Sequence, residues 1–153
     1  MLIEFILTAA FAGLLAAAAI SDWRSRVIAN FISIVISALF FVGAVIGSQT
    51  ELVNSALGFC LGATIGIGLF IANVWGGGDA KLLASVALYL GLNKMFSLLL
   101  AMSLVGGVMA LVFLMIPSLR SDAKNRGLPY GVAIATGGLF IVGKPIIISL
   151  IKL

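Results

Sequence analysis

The feature that most limits what this chain can become is a series of apolar runs: Leu2–Ile20, Val27–Ile46, Leu52–Val74, Leu82–Leu92, Met95–Ile116 and Pro129–Leu150. Most approach the roughly 20 residues that a helix needs to cross the hydrocarbon core of a bilayer. No water is available at that depth to pair backbone N–H and C=O groups, so each run must close its hydrogen bonds within itself, as a helix does. Charged residues make up only 9% of the chain, against about a quarter in a soluble domain. The expected fold is therefore all-α: a polytopic integral membrane protein of about six transmembrane helices, forming one domain over residues 1–153. No polar stretch between the runs is long enough for a separate soluble domain. The first run lacks a basic leader segment and a small-residue cleavage pattern, and it reads as a retained helix rather than a signal peptide.

The fourth run, Leu82–Leu92, is too short to cross about 30 Å at about 1.5 Å per residue. It is preceded by Trp75-Gly76-Gly77-Gly78-Asp79-Ala80-Lys81. One arrangement that satisfies both facts lets residues 75–78 dip below the membrane surface as non-helical backbone, covered by protein or lining a cavity. Asp79 would then stand in a cavity at the N-terminus of a short fourth helix. In the third run, Gly58, Gly62 and Gly66 repeat every four residues, a spacing that lets helices approach closely and reads as ordinary intramembrane packing.

Charge sets the orientation. Arg24 and Arg26 follow the first run, Lys81 follows the third, and Arg120, Lys124 and Arg126 follow the fifth. The opposite side carries Lys94 and Lys152, with Lys144 near enough to snorkel outward. The positive-inside bias places the loops bearing Asp22 and Asp79 in the cytoplasm and both termini outside. The same topology accounts for the net charge of +4, and the lack of aromatic interleaving argues against a nucleic-acid partner. Trp23, Trp75 and Tyr130 fall where interfacial aromatics belong. Asn30 and Asn54 read as helix-to-helix hydrogen bonders, and Cys60 as a small core residue. One cysteine and no histidine exclude a CxxC zinc site, a disulfide framework and Ser-His or Cys-His catalysis.

That leaves the acids. A carboxylate within a membrane segment is costly, and it usually marks function. Asp22 ends the first run and Asp79 follows the third, so both reach the same membrane face; Glu4, Glu51 and Asp122 read as solvated charges. Two carboxylates at one depth suit an aspartic dyad, in which one ionised group takes a proton from water and one protonated group polarises a carbonyl. The same pair would also serve a proton relay in a membrane transporter subunit, or structural pairing with Lys81 and Arg24 in a non-enzymatic assembly component of a pilus or secretion machine. The transporter reading calls for an inverted repeat, and none is visible. Gly76-Gly77-Gly78-Asp79 fits GxGD and not a P-loop. Glycines at 76, 77 and 78 would permit close backbone approach to an extended substrate, and Lys81 would hold a polar part of it. No pattern specifies an oligomeric state.

On these residues the chain resembles the type IV prepilin leader peptidases, polytopic aspartic proteases of the GxGD type. The resemblance rests on Asp22 with Ile28-Ala29-Asn30 a few residues on, Gly76 to Ala84 (GGGDAKLLA), and Leu128-Pro129-Tyr130-Gly131 with Ala133. It implies that Asp22 and Asp79 are the catalytic aspartates and that neither metal nor cofactor takes part. The implied partners are the lipid bilayer of a bacterial inner membrane and a precursor with a short basic leader, cut after a glycine, ahead of an apolar helix. Ala29 stands where the family usually has proline. The cytoplasmic segment with paired CxxC motifs that many members carry is missing, so the chain looks like the short form serving tight-adherence (Flp-type) pili. Peptidase activity is implied, and methylation of the new N-terminus is not.

Overall fold

The computed structural model describes residues 2–47 and 51–151. Its described elements are helices: α1 (Leu2–Ser25), α2 (Asn30–Val45), α3 (Leu52–Ile71), α4 (Gly77–Leu90), α5 (Met95–Met115), α6 (Pro117–Arg126) and α7 (Tyr130–Ile151), with a 3-10 turn at Leu92–Lys94. Leu2–Ser25, Leu52–Ile71 and Leu92–Met115 are long and apolar enough to cross a membrane, and Asn30–Val45 and Tyr130–Gly143 are shorter apolar segments. Large apolar side chains such as Phe31, Ile34, Val53, Ile71, Phe96 and Leu111 face outward. That is the surface of a membrane protein, since lipid and not water is its solvent.

The bundle is built around α4. Every residue from Leu82 to Leu90 is buried, and α2, α3 and α7 all pack on this helix. A helix apolar on all sides must be enclosed, which is why α4 need not match the bilayer. Its 14 residues reach about 21 Å, short of the roughly 30 Å core. Gly58, Gly62 and Gly66 form the face of α3 that meets it. A Cβ on Gly58 would lie 2.6 Å from the Ala87 carbonyl oxygen, and one on Gly66 would lie 2.9 Å from the Ala80 Cα. The four-residue glycine spacing therefore seats one helix of the chain against another. Elsewhere α1 packs on α7 and α7 on α5, and the Phe11 ring stacks on Tyr89 at 4.0 Å between centroids.

Several local expectations are corrected. The polar stretch Asp22–Ser25 is not a turn but the last turn of α1, because neither glycine nor proline interrupts it. The helix stops where Arg26 adopts a left-handed φ of 56° and its amide bonds to the Asp22 carbonyl oxygen at 2.9 Å. The polar connection after the fifth run is a helix, α6, begun by Pro117 in its first turn and ended by Gly127 at φ 78°. Gly77 and Gly78 belong to α4, so the non-helical backbone ends at Gly76. Trp75 is buried beside Tyr130, with 5.8 Å between ring centroids, whereas Trp23 is exposed. Cys60 is exposed and not a core residue, because the glycine face of α3 turns it outward. Asn54 and Asn30 do join elements. The Asn93 amide donates to the Asn54 Oδ1 at 3.1 Å, and the Lys81 Nζ donates to the Asn30 Oδ1 at 3.0 Å.

Candidate active site

The helical continuation of α1 decides where Asp22 goes. The buried face of α1 runs Leu7, Phe11, Leu15, Ala18, Asp22, a stripe at helical spacing, so the aspartate is carried inward on the same side as the core residues. It is 4% exposed. Asp79 arrives from the other direction. After α3, the Val74 and Trp75 amides both bond to the Leu69 carbonyl oxygen, at 2.9 and 3.2 Å, which turns the chain back toward the bundle. Gly76 then caps α4 in extended backbone, and Asp79 in the first turn accepts the Gly76 amide on Oδ2 at 3.1 Å. A carboxylate there satisfies one of the free amides at a helix start. Asp79 is 9% exposed.

The third contributor is the start of α7. Its first amides have no partner within the helix, and one of them reaches an acid. The Val132 amide donates to the Asp22 Oδ2 at 3.2 Å, and Gly131 lies against the Asp22 carboxylate. The charge of Asp22 acts directly on Asp79, and Arg26 lies close enough for its charge to act on Asp22. Gly131 has no room for a side chain. A Cβ there would lie 2.9 Å from the Asp22 Oδ2 and would strike the Ile28 Cδ1. One oxygen, the Asp79 Oδ1, is buried and has no hydrogen-bond partner among the described residues.

Two acids distant in sequence thus lie buried close to one another in an apolar bundle. The chain matches the type IV leader peptidase family over residues 9–111, a segment that contains both aspartates. It belongs to that family. Comparison with curated proteins and with solved structures returns no match. Family membership makes this a membrane peptidase of the leader-removing type.

The other residues expected at the site of this leader peptidase are placed as follows. Gly78 packs on Ile28, where a Cβ would lie 3.2 Å from the Ile28 Cβ, and Gly77 faces the Phe70 ring. Gly76 turns toward the Asp79 carboxylate. Of the three glycines, Gly78 has the tightest surroundings within the chain itself. Lys81 is exposed on α4, with its amine on Asn30. Glu51 accepts the Asn54 amide and stays exposed; the side chain of Asp122 lies outside those described. Sequence reasoning assigned no role to Gly131, Val132 or Ile28. The available signal was a glycine directly after Pro129-Tyr130, in an apolar run that begins on the acids' side of the membrane.

Proposed function

We propose that this peptidase is a six-span aspartic endopeptidase of a bacterial inner membrane, with Asp22 and Asp79 as its catalytic pair, that removes the short leader of Flp-type prepilins at the cytoplasmic face. The observation that carries this reading is the burial of both carboxylates within reach of each other's charge, Asp22 held by the Val132 amide and Asp79 by the Gly76 amide, with the Asp79 Oδ1 left unpaired. Like charges held this close favour a single shared proton. The ionised member takes a proton from water, and the resulting hydroxyl adds to the scissile carbonyl carbon. The protonated member donates a hydrogen bond to the carbonyl oxygen. When the tetrahedral intermediate collapses, the C–N bond breaks and a proton passes to the departing nitrogen, which becomes the new N-terminus. The Val132 and Gly76 amides hold the pair in place throughout.

The orientation is supported by the basic residues grouped at the dyad's end. Arg126 donates to the Arg24 carbonyl oxygen at 3.1 Å, which ties the end of α6 to the end of α1 beside Asp22. Positively charged ends of this kind stay cytoplasmic. The substrate is read as a precursor with a basic leader, a glycine at the junction, and an apolar helix beyond it.

Co-expression with a Flp-type precursor, read as a shift in precursor size, is the direct test. Wild type is expected to cleave. Asp22→Asn and Asp79→Asn should each lower the rate by about 100-fold or more, as expected on removing an acid–base group. The double variant should be scarcely worse than either, because the two act as a unit. Glu51→Gln should cleave normally. Retained cleavage in Asp22→Asn or Asp79→Asn, in protein that inserts normally, would remove the dyad from the mechanism.

A further inference from the structure

Each acid is held by an amide from a different part of the chain. Asp79 accepts the Gly76 amide in the turn before α4, and Asp22 accepts the Val132 amide in the first turn of α7. Trp75 directly precedes Gly76, and Tyr130 stands two residues before Val132. The rings of Trp75 and Tyr130 are tilted at 40°, with 5.8 Å between centroids. That lies within the range of about 4.5–7 Å at which aromatic pairs attract. Trp75 is buried and Tyr130 half-buried. The ring contact therefore joins the two short stretches of backbone that hold the acids.

Neither stretch is fixed by its helix alone, since helix ends fray more readily than any other part of a helix. Further in, α4 and α7 pack directly: a Cβ on Gly138 would lie 3.6 Å from the Val86 Cγ1, about two turns beyond Asp79 and Gly131. At their starts the two helices instead close on Ile28, a buried residue of the connection between α1 and α2. A Cβ on Gly78 would lie 3.2 Å from the Ile28 Cβ, and one on Gly131 would strike the Ile28 Cδ1. Ile28 thus acts as a spacer between the turn that carries Asp79 and the turn that holds Asp22. A spacer sets only the least separation of two helix ends. Something must also draw them together, and the Trp75–Tyr130 contact is placed to do so.

We infer that Trp75 and Tyr130 are positioning residues: their ring contact clasps the turn before α4 to the start of α7 across Ile28, and so fixes the distance between the Asp22 and Asp79 carboxylates. The inference rests on the proposed peptidase function, in which the two acids must stand close enough to share one proton. Neither ring has to touch the substrate. What the contact supplies is orientation. A small displacement of one acid from the other removes the geometry in which one takes a proton from water while its partner donates a hydrogen bond to the scissile carbonyl. Aromatic rings suit the task, because they give a large, rigid contact area and lose little conformational freedom when fixed. Leucine fills part of the same space without that rigid face.

The test measures kcat and KM separately on a designed precursor in vesicles: a short lysine-bearing leader, a glycine, and an apolar helix of about 20 residues. Trp75→Leu and Tyr130→Leu keep an apolar side chain and remove the ring contact. Each is expected to lower kcat about tenfold while KM stays within about twofold of wild type, the pattern of a group that acts on the reacting geometry and not on binding. The double variant should lose about as much as either single one, since both break the same contact. Trp75→Phe and Tyr130→Phe keep a ring at each place and should recover most of kcat. Phe96→Leu, which removes an exposed ring near the start of α5, should change neither constant. Should Trp75→Leu fail to insert, Tyr130→Leu carries the test alone, because Tyr130 is only half-buried. If wild type fails to cleave the designed precursor, the peptidase reading falls and the clasp falls with it. If wild type cleaves, the clasp alone is overturned when Tyr130→Leu keeps its kcat, when KM rises in place of the fall in kcat, or when the two leucine losses multiply. Phenylalanine variants no better than the leucine ones would overturn it equally.

Discussion

Gly131 is the residue on which Asp22 depends most directly, and its role lies in what it lacks. A methyl group there would sit 2.9 Å from the Asp22 Oδ2 and 3.0 Å from its Cγ, besides striking Ile28. Gly131→Ala is therefore expected to push Asp22 off the Val132 amide and to lower cleavage by at least about tenfold, since small displacements of a catalytic group carry large rate penalties. Ile28→Ala added to it relieves one obstruction and not the other, so rescue should be partial. Near-normal cleavage by Gly131→Ala would contradict this account. Asp22 and Asp79 stood out in the sequence because a carboxylate in an apolar chain has few bland explanations. The amides that hold them did not. Every residue except proline carries a backbone N–H, so nothing in the side-chain pattern distinguishes the amides of Gly76 and Val132 from any others.

Among the elements, α4 and the glycine face of α3 form the most closely fitted pair. Gly58→Ala would bring a Cβ within 2.6 Å of a backbone oxygen that belongs to another helix and cannot rotate away. A loss of about 1–3 kcal/mol is expected, the usual cost of overpacking, measured as thermal unfolding in detergent. Gly68→Ala is the matched control, since nothing lies within 4 Å of the added methyl. It should be neutral, or more stable by about 0.5–1 kcal/mol from better helix propensity. Equal effects at the two positions would mean that glycine acts only through propensity. The apolar runs and their short fourth member were legible in the sequence because hydrophobicity and length carry them directly. The ends of α1 and the whole of α6 were not. Both are polar segments whose helical state follows from the absence of a breaker, or from Pro117 in a first turn, rather than from any apolar periodicity.

For the molecule as a whole, the basic residues gather where the acids are. With Cys60 replaced by serine, single cysteines at Ser25 and Ser121 should resist an impermeant thiol reagent added outside intact cells. One at Asn93, in the turn beyond the far end of α4, should react. The reverse pattern would invert the orientation and move the site to the outer face. The arrangement of helices around α4 was beyond sequence reasoning, since it depends on which faces meet and not on which segments are apolar. Its consequence concerns time as much as space. Asp22 and Asp79 lie on α1 and α4, but the Val132 amide that holds Asp22, and Gly131 beside it, belong to α7. As the chain leaves the ribosome, the two acids are made before α7, and the site is completed only when α7 inserts. A nascent chain halted before Tyr130 would carry both acids in the membrane without an assembled centre. The chain is thus kept idle until α7 has been made.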